Sequence, residues 1–136
     1  MLRRILTAFL LGIFYFGFTQ SPVIDSIKAT YPQQKGATQV KSLSELCYQY
    51  IFYNLDSSAA YGAKALDGAK ALGDKPLLAQ VYNDYSIPFL YNGQYERSLN
   101  LNQTALELRK ELRDSTGMLA SYSKIGNCYH QMGRFE

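Results

Sequence analysis

From residue 38 onward the apolar positions return with a helical rhythm. In "VYNDYSIPFLYNGQYERS", residues 81–98, Tyr82, Tyr85, Ser86 and Phe89 fall at i, i+3, i+4 and i+7, one face of a helix. Leu99, Asn102, Ala105 and Leu106 share a face in the next segment, with Ala105 small enough for a close crossing. Gly93 and Gly133 end the segments before them, because glycine tolerates the left-handed conformation of a helix C-terminus. Asp74 followed by Pro76 marks a helix start. The pattern predicts helices over 38–53, 57–72, 76–92, 95–113 and 116–132, a further one opening at 135, and a short one over 23–30 closed by Pro32. Pro88 falls inside the third of the long helices, where it removes a backbone hydrogen bond and predicts a kink. No segment alternates like a strand, so the fold class is all-α.

The helical segments also echo one another. "VYNDYSIPFLYNGQYERS" and "SYSKIGNCYHQMGRFE" align at a spacing of 40: Tyr82 with Tyr122, Tyr85 with Ile125, Ser86 with Gly126, Phe89 with Tyr129, Gly93 with Gly133, Tyr95 with Phe135 and Glu96 with Glu136. "ALDGAKALGD" and "ALELRKELRD", at 65–74 and 105–114, are separated by the same 40 residues. Leu43, Leu46, Cys47 and Tyr50 look like an earlier copy of the first helix, with the spacing slipped by one and "NLDSS" in place of the glycine turn. A fixed period of about 20–50 residues belongs to stacked repeats, whose terminal units are often atypical.

These residues resemble the tetratricopeptide repeat family. Its aromatic, small, aromatic, Gly-x-aromatic-Glu and alanine positions fall on Tyr82, Tyr85-Ser86, Phe89, Gly93-Gln94-Tyr95-Glu96 and Ala105. They recur on Tyr122, Ile125-Gly126, Tyr129 and Gly133-Arg134-Phe135-Glu136. The resemblance implies a right-handed α-solenoid of antiparallel helix pairs, about two and a half repeats, with units at 38–74, 76–114 and an incomplete 116–136. The long period points to a long-helix variant. The chain is also similar to the exported N-terminal tetratricopeptide region of sensor kinases and regulators in Bacteroidetes-type bacteria. Because the third unit stops after its turn, Leu119, Tyr122, Ile125, Gly126 and Tyr129 are expected to lack a packing partner. A fragment of a longer array, or completion by another chain, is the expectation that follows, with self-association through the open third repeat as one route.

The N-terminus has a different character. "MLRRILTAFLLGIFYFGFTQ" opens with Arg3-Arg4 and continues apolar from Ile5 to Phe18, short for a span of about 20 residues. This predicts a cleavable signal peptide over 1–19, cut near residue 19–20, with an uncleaved anchor as the alternative. Residues 20–37 then form a linker with the short helix, and the mature chain is expected to be exported, periplasmic or extracytoplasmic. The 14 basic and 11 acidic residues give a formal charge of +3, and two of the positives are Arg3 and Arg4. Twelve basic against eleven acidic residues beyond position 20 make no nucleic-acid footprint. Cys47 and Cys128 fall on helices two units apart, too far for a bridge, and are expected as small buried thiols.

Little in the chain points to chemistry. His130 is the only histidine, expected on a helix surface, and there is no phosphate loop or nucleophile elbow. Glu107 and Glu111 predict a solvated face with Arg109 and Lys110. Tyr48, Tyr50, Tyr53 and Tyr91 are expected in core and interface packing, with an aromatic ligand surface as the other possibility. No catalytic, cofactor or metal site is expected, and no enzyme in this chain. The resemblance implies instead a protein-interaction scaffold whose first helices line a concave groove for a protein or peptide partner. Its groove positions fall on Gln80, Asn83, Asp84, Ile87 and Tyr91, and on Ser123, Lys124, Asn127, His130 and Gln131. Asn127 matches the asparagine of the family's carboxylate clamp, but the clamp's lysine and arginine pairs are missing, so a C-terminal carboxylate ligand is not expected. The alternative is the extracytoplasmic input domain of a membrane signalling protein whose output part lies beyond residue 136.

Overall fold

A computed structural model describes residues 21–133. The signal segment read at 1–19 and the turn residues Arg134, Phe135 and Glu136 lie outside the described residues. Six α-helices follow one another: α1 (Pro22–Thr30), α2 (Gly36–Tyr50), α3 (Leu55–Leu72), α4 (Lys75–Tyr91), α5 (Tyr95–Glu111) and α6 (Ser115–Gln131). A 3-10 turn, Tyr31–Gln33, joins α1 to α2, and no strand occurs among the described residues. Each helix boundary lies within three residues of the one that the periodicity predicts.

Local chemistry explains the punctuation. Asn54, Asp74 and Asp114 each cap the following helix, their side chains accepting from Ser57 N (2.7 Å), Leu77 N (3.0 Å) and Gly117 N (2.9 Å). The turns after α4 and α6 place Gly93 and Gly133 at φ 73° and 68°, the left-handed region that a side chain resists. Between α5 and α6 that conformation falls to Arg113 at φ 55°, forty residues after Gly73 at φ 66°.

Consecutive helices pack side by side from α2 to α6, and α2 also meets α4 directly, as α4 meets α6. Short turns between long helices favour such antiparallel neighbours. The interior changes character along the chain. Val40, Leu43, Ala65, Leu66, Ala69, Leu77 and Val81 form an apolar core between α2, α3 and α4. Ile24, Leu46 and Tyr50 extend it beneath α1, where Tyr50 stacks on Tyr61 at 5.3 Å between centroids. Between α4, α5 and α6 polar groups enter the interior: Asn83, Ser86, Ser98, Asn102, Arg109 and Ser121 are all buried there, beside Phe89, Leu99, Ala105 and Leu106. Arg109, expected on a solvated face, is only 4% exposed, because its guanidinium finds acceptors on both neighbouring helices.

Helix α4 runs through Pro88 as one element. The carbonyl that Pro88 leaves without its helical donor is that of Asp84, and the Cys47 thiol of α2 donates to it at 3.7 Å. Cys47 and Cys128 are buried and unbridged, as their spacing predicts.

Two substitutions test these contacts in opposite directions. A Cβ on Gly62 would meet the Tyr85 ring and stand 2.9 Å from Cys47 Sγ. Gly62→Val should therefore cost about 1–3 kcal/mol of unfolding free energy in a urea titration. Arg113→Gly should gain roughly 0.5–1 kcal/mol in the same titration, the left-handed strain relieved less the added freedom of the unfolded chain.

Candidate binding face

Helices α2, α4 and α6 share one surface, and a column of side chains crosses it. Ser44, Asp84 and Lys124 stand at intervals of 40 residues on the three helices. The Ser44 hydroxyl donates to Asp84 Oδ2 at 2.7 Å. Gln80, one turn before Asp84, donates to both carboxylate oxygens at 3.0 and 3.1 Å. The same amide accepts from Arg109 Nη2 at 3.1 Å through its oxygen. Lys124 reaches back from α6 to the Asn83 carbonyl at 3.2 Å. Burial holds its pKa below 10.5 although the Asp84 charge acts the other way.

Two clefts flank the column. One, of about 270 Å³, lies between α2 and α4 and is lined by Lys41, Ser44, Glu45, Tyr48, Leu77, Gln80 and Asp84. The other, of about 280 Å³, is formed by Leu90, Tyr91, Tyr95, Asn127 and Gln131. The charged groups line the first, amides line both, and aromatic rings rim both. Tyr48 is half-exposed and meets the exposed Phe52 edge-on at 6.3 Å, while Tyr91 is 61% exposed.

The ten groove positions implied by the resemblance divide on this surface. Gln80 and Asp84 line the first cleft, and Tyr91, Asn127 and Gln131 the second. Ile87 and Lys124 are half-buried; Ser123 and His130 are exposed but line neither of these clefts. Asn83 does not present itself at all. It is 1% exposed, donating to Asn102 Oδ1 at 2.8 Å and accepting from Ser121 Oγ at 3.1 Å, so it supports the floor from beneath. Of the four tyrosines expected in packing, Tyr50 is buried, whereas Tyr48, Tyr53 and Tyr91 are exposed.

The contribution of α2 was missed by the motif, because its unit lacks the glycine turn that anchors an alignment. That unit is slipped by one residue, so Glu45 rather than Ser44 corresponds to Asp84, and Ser44 reaches the carboxylate from the neighbouring position.

Beneath the face, Arg109 Nη1 donates to the Gly117 carbonyl and to Ser121 Oγ at 3.2 Å, and its Nε stands 3.9 Å from Asp114 Oδ2. Asn102 joins Asn83 to Cys128, whose thiol lies 3.3 Å from Ser98 Oγ. Among the described residues no buried side-chain nitrogen or oxygen lacks a partner, and no cluster of His, Cys, Asp or Glu has the makings of a metal site. None of the described helices is long and apolar enough to cross a membrane. No protein-family model matches the chain, and no curated protein matches it either.

Burial raises the Cys47 thiol from its usual 9.0 to about 11. A pKa raised by folding contributes stability that is present below the unfolded value and is lost as pH climbs toward the folded one. Lys124, whose pKa is lowered, works in the opposite sense below 10.5. Cys47→Ala removes only the first effect. Relative to the parent chain, the variant should therefore gain stability steadily from pH 9 to about 11, measured by urea titration at each pH.

Proposed function

We propose that this chain is a protein-interaction scaffold, built as a right-handed solenoid of tetratricopeptide-like helix pairs, that holds a peptide or partner helix on the face shared by α2, α4 and α6. The observation that carries the reading is the column Ser44, Asp84 and Lys124. Three helices bring these side chains together on one surface, and hydrogen bonds fix the carboxylate at its centre. The direct contacts of α2 with α4 and of α4 with α6 suit a stack of repeated helix pairs.

The chemistry of the face selects its partner. Lys41, Glu45, Gln80 and Asp84 offer charge and hydrogen bonds around the first cleft, and Tyr48, Phe52 and Tyr91 offer exposed rings. Such rings are the usual anchors of protein interfaces. A segment with a polar stretch followed by apolar or aromatic side chains matches both parts. The reading is non-catalytic, and the basic then apolar N-terminal sequence supports a scaffold that works outside the cytoplasm.

Selection from a random peptide library displayed on phage tests the reading. The selected peptides should lose about tenfold or more in affinity against Tyr48→Ala or Tyr91→Ala, the roughly 1.4 kcal/mol expected of an aromatic anchor. Lys70→Ala, on an exposed position of α3, should leave them unchanged. Failure to select any binder, or binders indifferent to both tyrosines, would count against it.

A further inference from the structure

The face of α6 turned away from α5 is left uncovered by the described residues. Leu119 is 71% exposed and Tyr122 53%, Gly126 is exposed with open space where a Cβ would stand, and Tyr129 is exposed at the end of the stripe. The positions forty residues earlier on α4 are Ala79, Tyr82, Ser86 and Phe89. There, Ala79, Ser86 and Phe89 are buried and Tyr82 is half-buried, with α5 packed against that helix. A face of this composition is therefore one that a helix covers.

We propose that the occupant is a second copy of this chain, which lays its own α6 antiparallel on this face about a twofold axis near residue 124. The spacing of the stripe supports that choice. Leu119, Tyr122, Gly126 and Tyr129 follow one another at intervals of three, four and three residues, the seam of a coiled coil. An antiparallel pair centred near residue 124 sets Tyr122 against Gly126 of the second copy and Leu119 against its Tyr129. One axis satisfies both pairings. Each ring then enters the gap left by a glycine, and each leucine meets a ring, so large and small surfaces alternate as close packing requires.

Charge complementarity agrees with this arrangement. Lys124 is the one lysine, arginine, aspartate or glutamate on α6, and it points inward to the Asn83 carbonyl. The stripe can meet its own copy without opposing like charges, an arrangement that the Glu- and Lys-bearing face of α5 would not permit. At about 100° per residue the stripe lies roughly 150° around α6 from Lys124, Asn127 and Gln131. The pairing thus leaves the candidate binding face open and does not depend on its reading.

One helix pair buries less than the roughly 800 Å² per partner of a standard interface, so micromolar affinity is expected. Sedimentation equilibrium of the full chain should show a monomer passing to a dimer, and no larger species, as concentration rises through the micromolar range. Leu119→Lys and Tyr122→Glu should each weaken that step at least tenfold with helicity retained. If Tyr122→Glu loses helicity, Leu119→Lys carries the test. Mixing Tyr122→Cys with Gly126→Cys under mild oxidant should give a cross-linked heterodimer, because those positions face each other. Tyr122→Cys alone should not cross-link, its two copies standing about four residues out of register. A monomer at every concentration overturns the proposal, and so does a dimer indifferent to both variants. Equal cross-linking of Tyr122→Cys with itself would overturn the antiparallel register.

Discussion

The arrangement of α4, α5 and α6 depends on one requirement: every polar group that they bury must find a partner inside. Arg109 is the centre of that requirement. A guanidinium removed from water is costly unless its donors are used, and here they reach the Gly117 carbonyl, Ser121 and Gln80 on two different helices. Asn102 extends the set through Asn83 and Cys128. Directional bonds of this kind tolerate little sliding. A slip of one turn that an apolar interface would absorb here leaves amides and a cation unpaired. Gly117 belongs to the same constraint, since a Cβ there would collide with the Asp114 carboxylate and stand 2.7 Å from Arg109 Cδ.

That interior also fixes the outer surface. Gln80 accepts from the buried Arg109 on one side and donates to the Asp84 carboxylate on the other, so the core reaches the cleft through a single amide. Pro88 contributes from within α4 by freeing the Asp84 carbonyl, which the Cys47 thiol meets, while Asn83 beside it receives Lys124. A helix with an intact ladder would not offer α2 so open an acceptor. Pro88 thus opens the acceptor by which α2 attaches to α4, one residue from the carbonyl that receives Lys124 of α6.

The helices themselves were legible from the sequence because periodicity, caps and glycine turns are local signals, and each boundary lies within three residues of its expected place. Burial of single polar residues was not. Arg109 lies in "ELRKELRD" among charges that suggest a solvated face, and only the nearness of Gly117 and Gln80, 8 and 29 residues distant, turns it inward. Asn83 fails as a groove residue for the same reason: its partners Asn102 and Ser121 lie 19 and 38 residues away. The buried Tyr50 and the exposed Tyr48 and Tyr53 could not be told apart in advance, because a tyrosine has the same apolar weight on a core face as on a rim. Leu119, Tyr122 and Gly126 were readable, since the repeat states which face each helix must cover and α6 has no helix after it among the described residues.

The two halves of the chain therefore hold their helices by different means. Between α2, α3 and α4 the attachment is apolar area, worth roughly 1.5–3 kcal/mol for each large side chain fully buried. Helix α6 buries Gly117, Ser121 and Cys128, none of which carries much area, and leaves Leu119 and Tyr122 outside. Its place is set by hydrogen bonds, each contributing only about 0.5–1.5 kcal/mol net. Orientation at α6 is thus well specified while adhesion is weak, a combination that lowers the cost of local opening at this helix. Covering the stripe would supply the missing area without disturbing a single bond of the polar interior, because the two lie on different sides of α6.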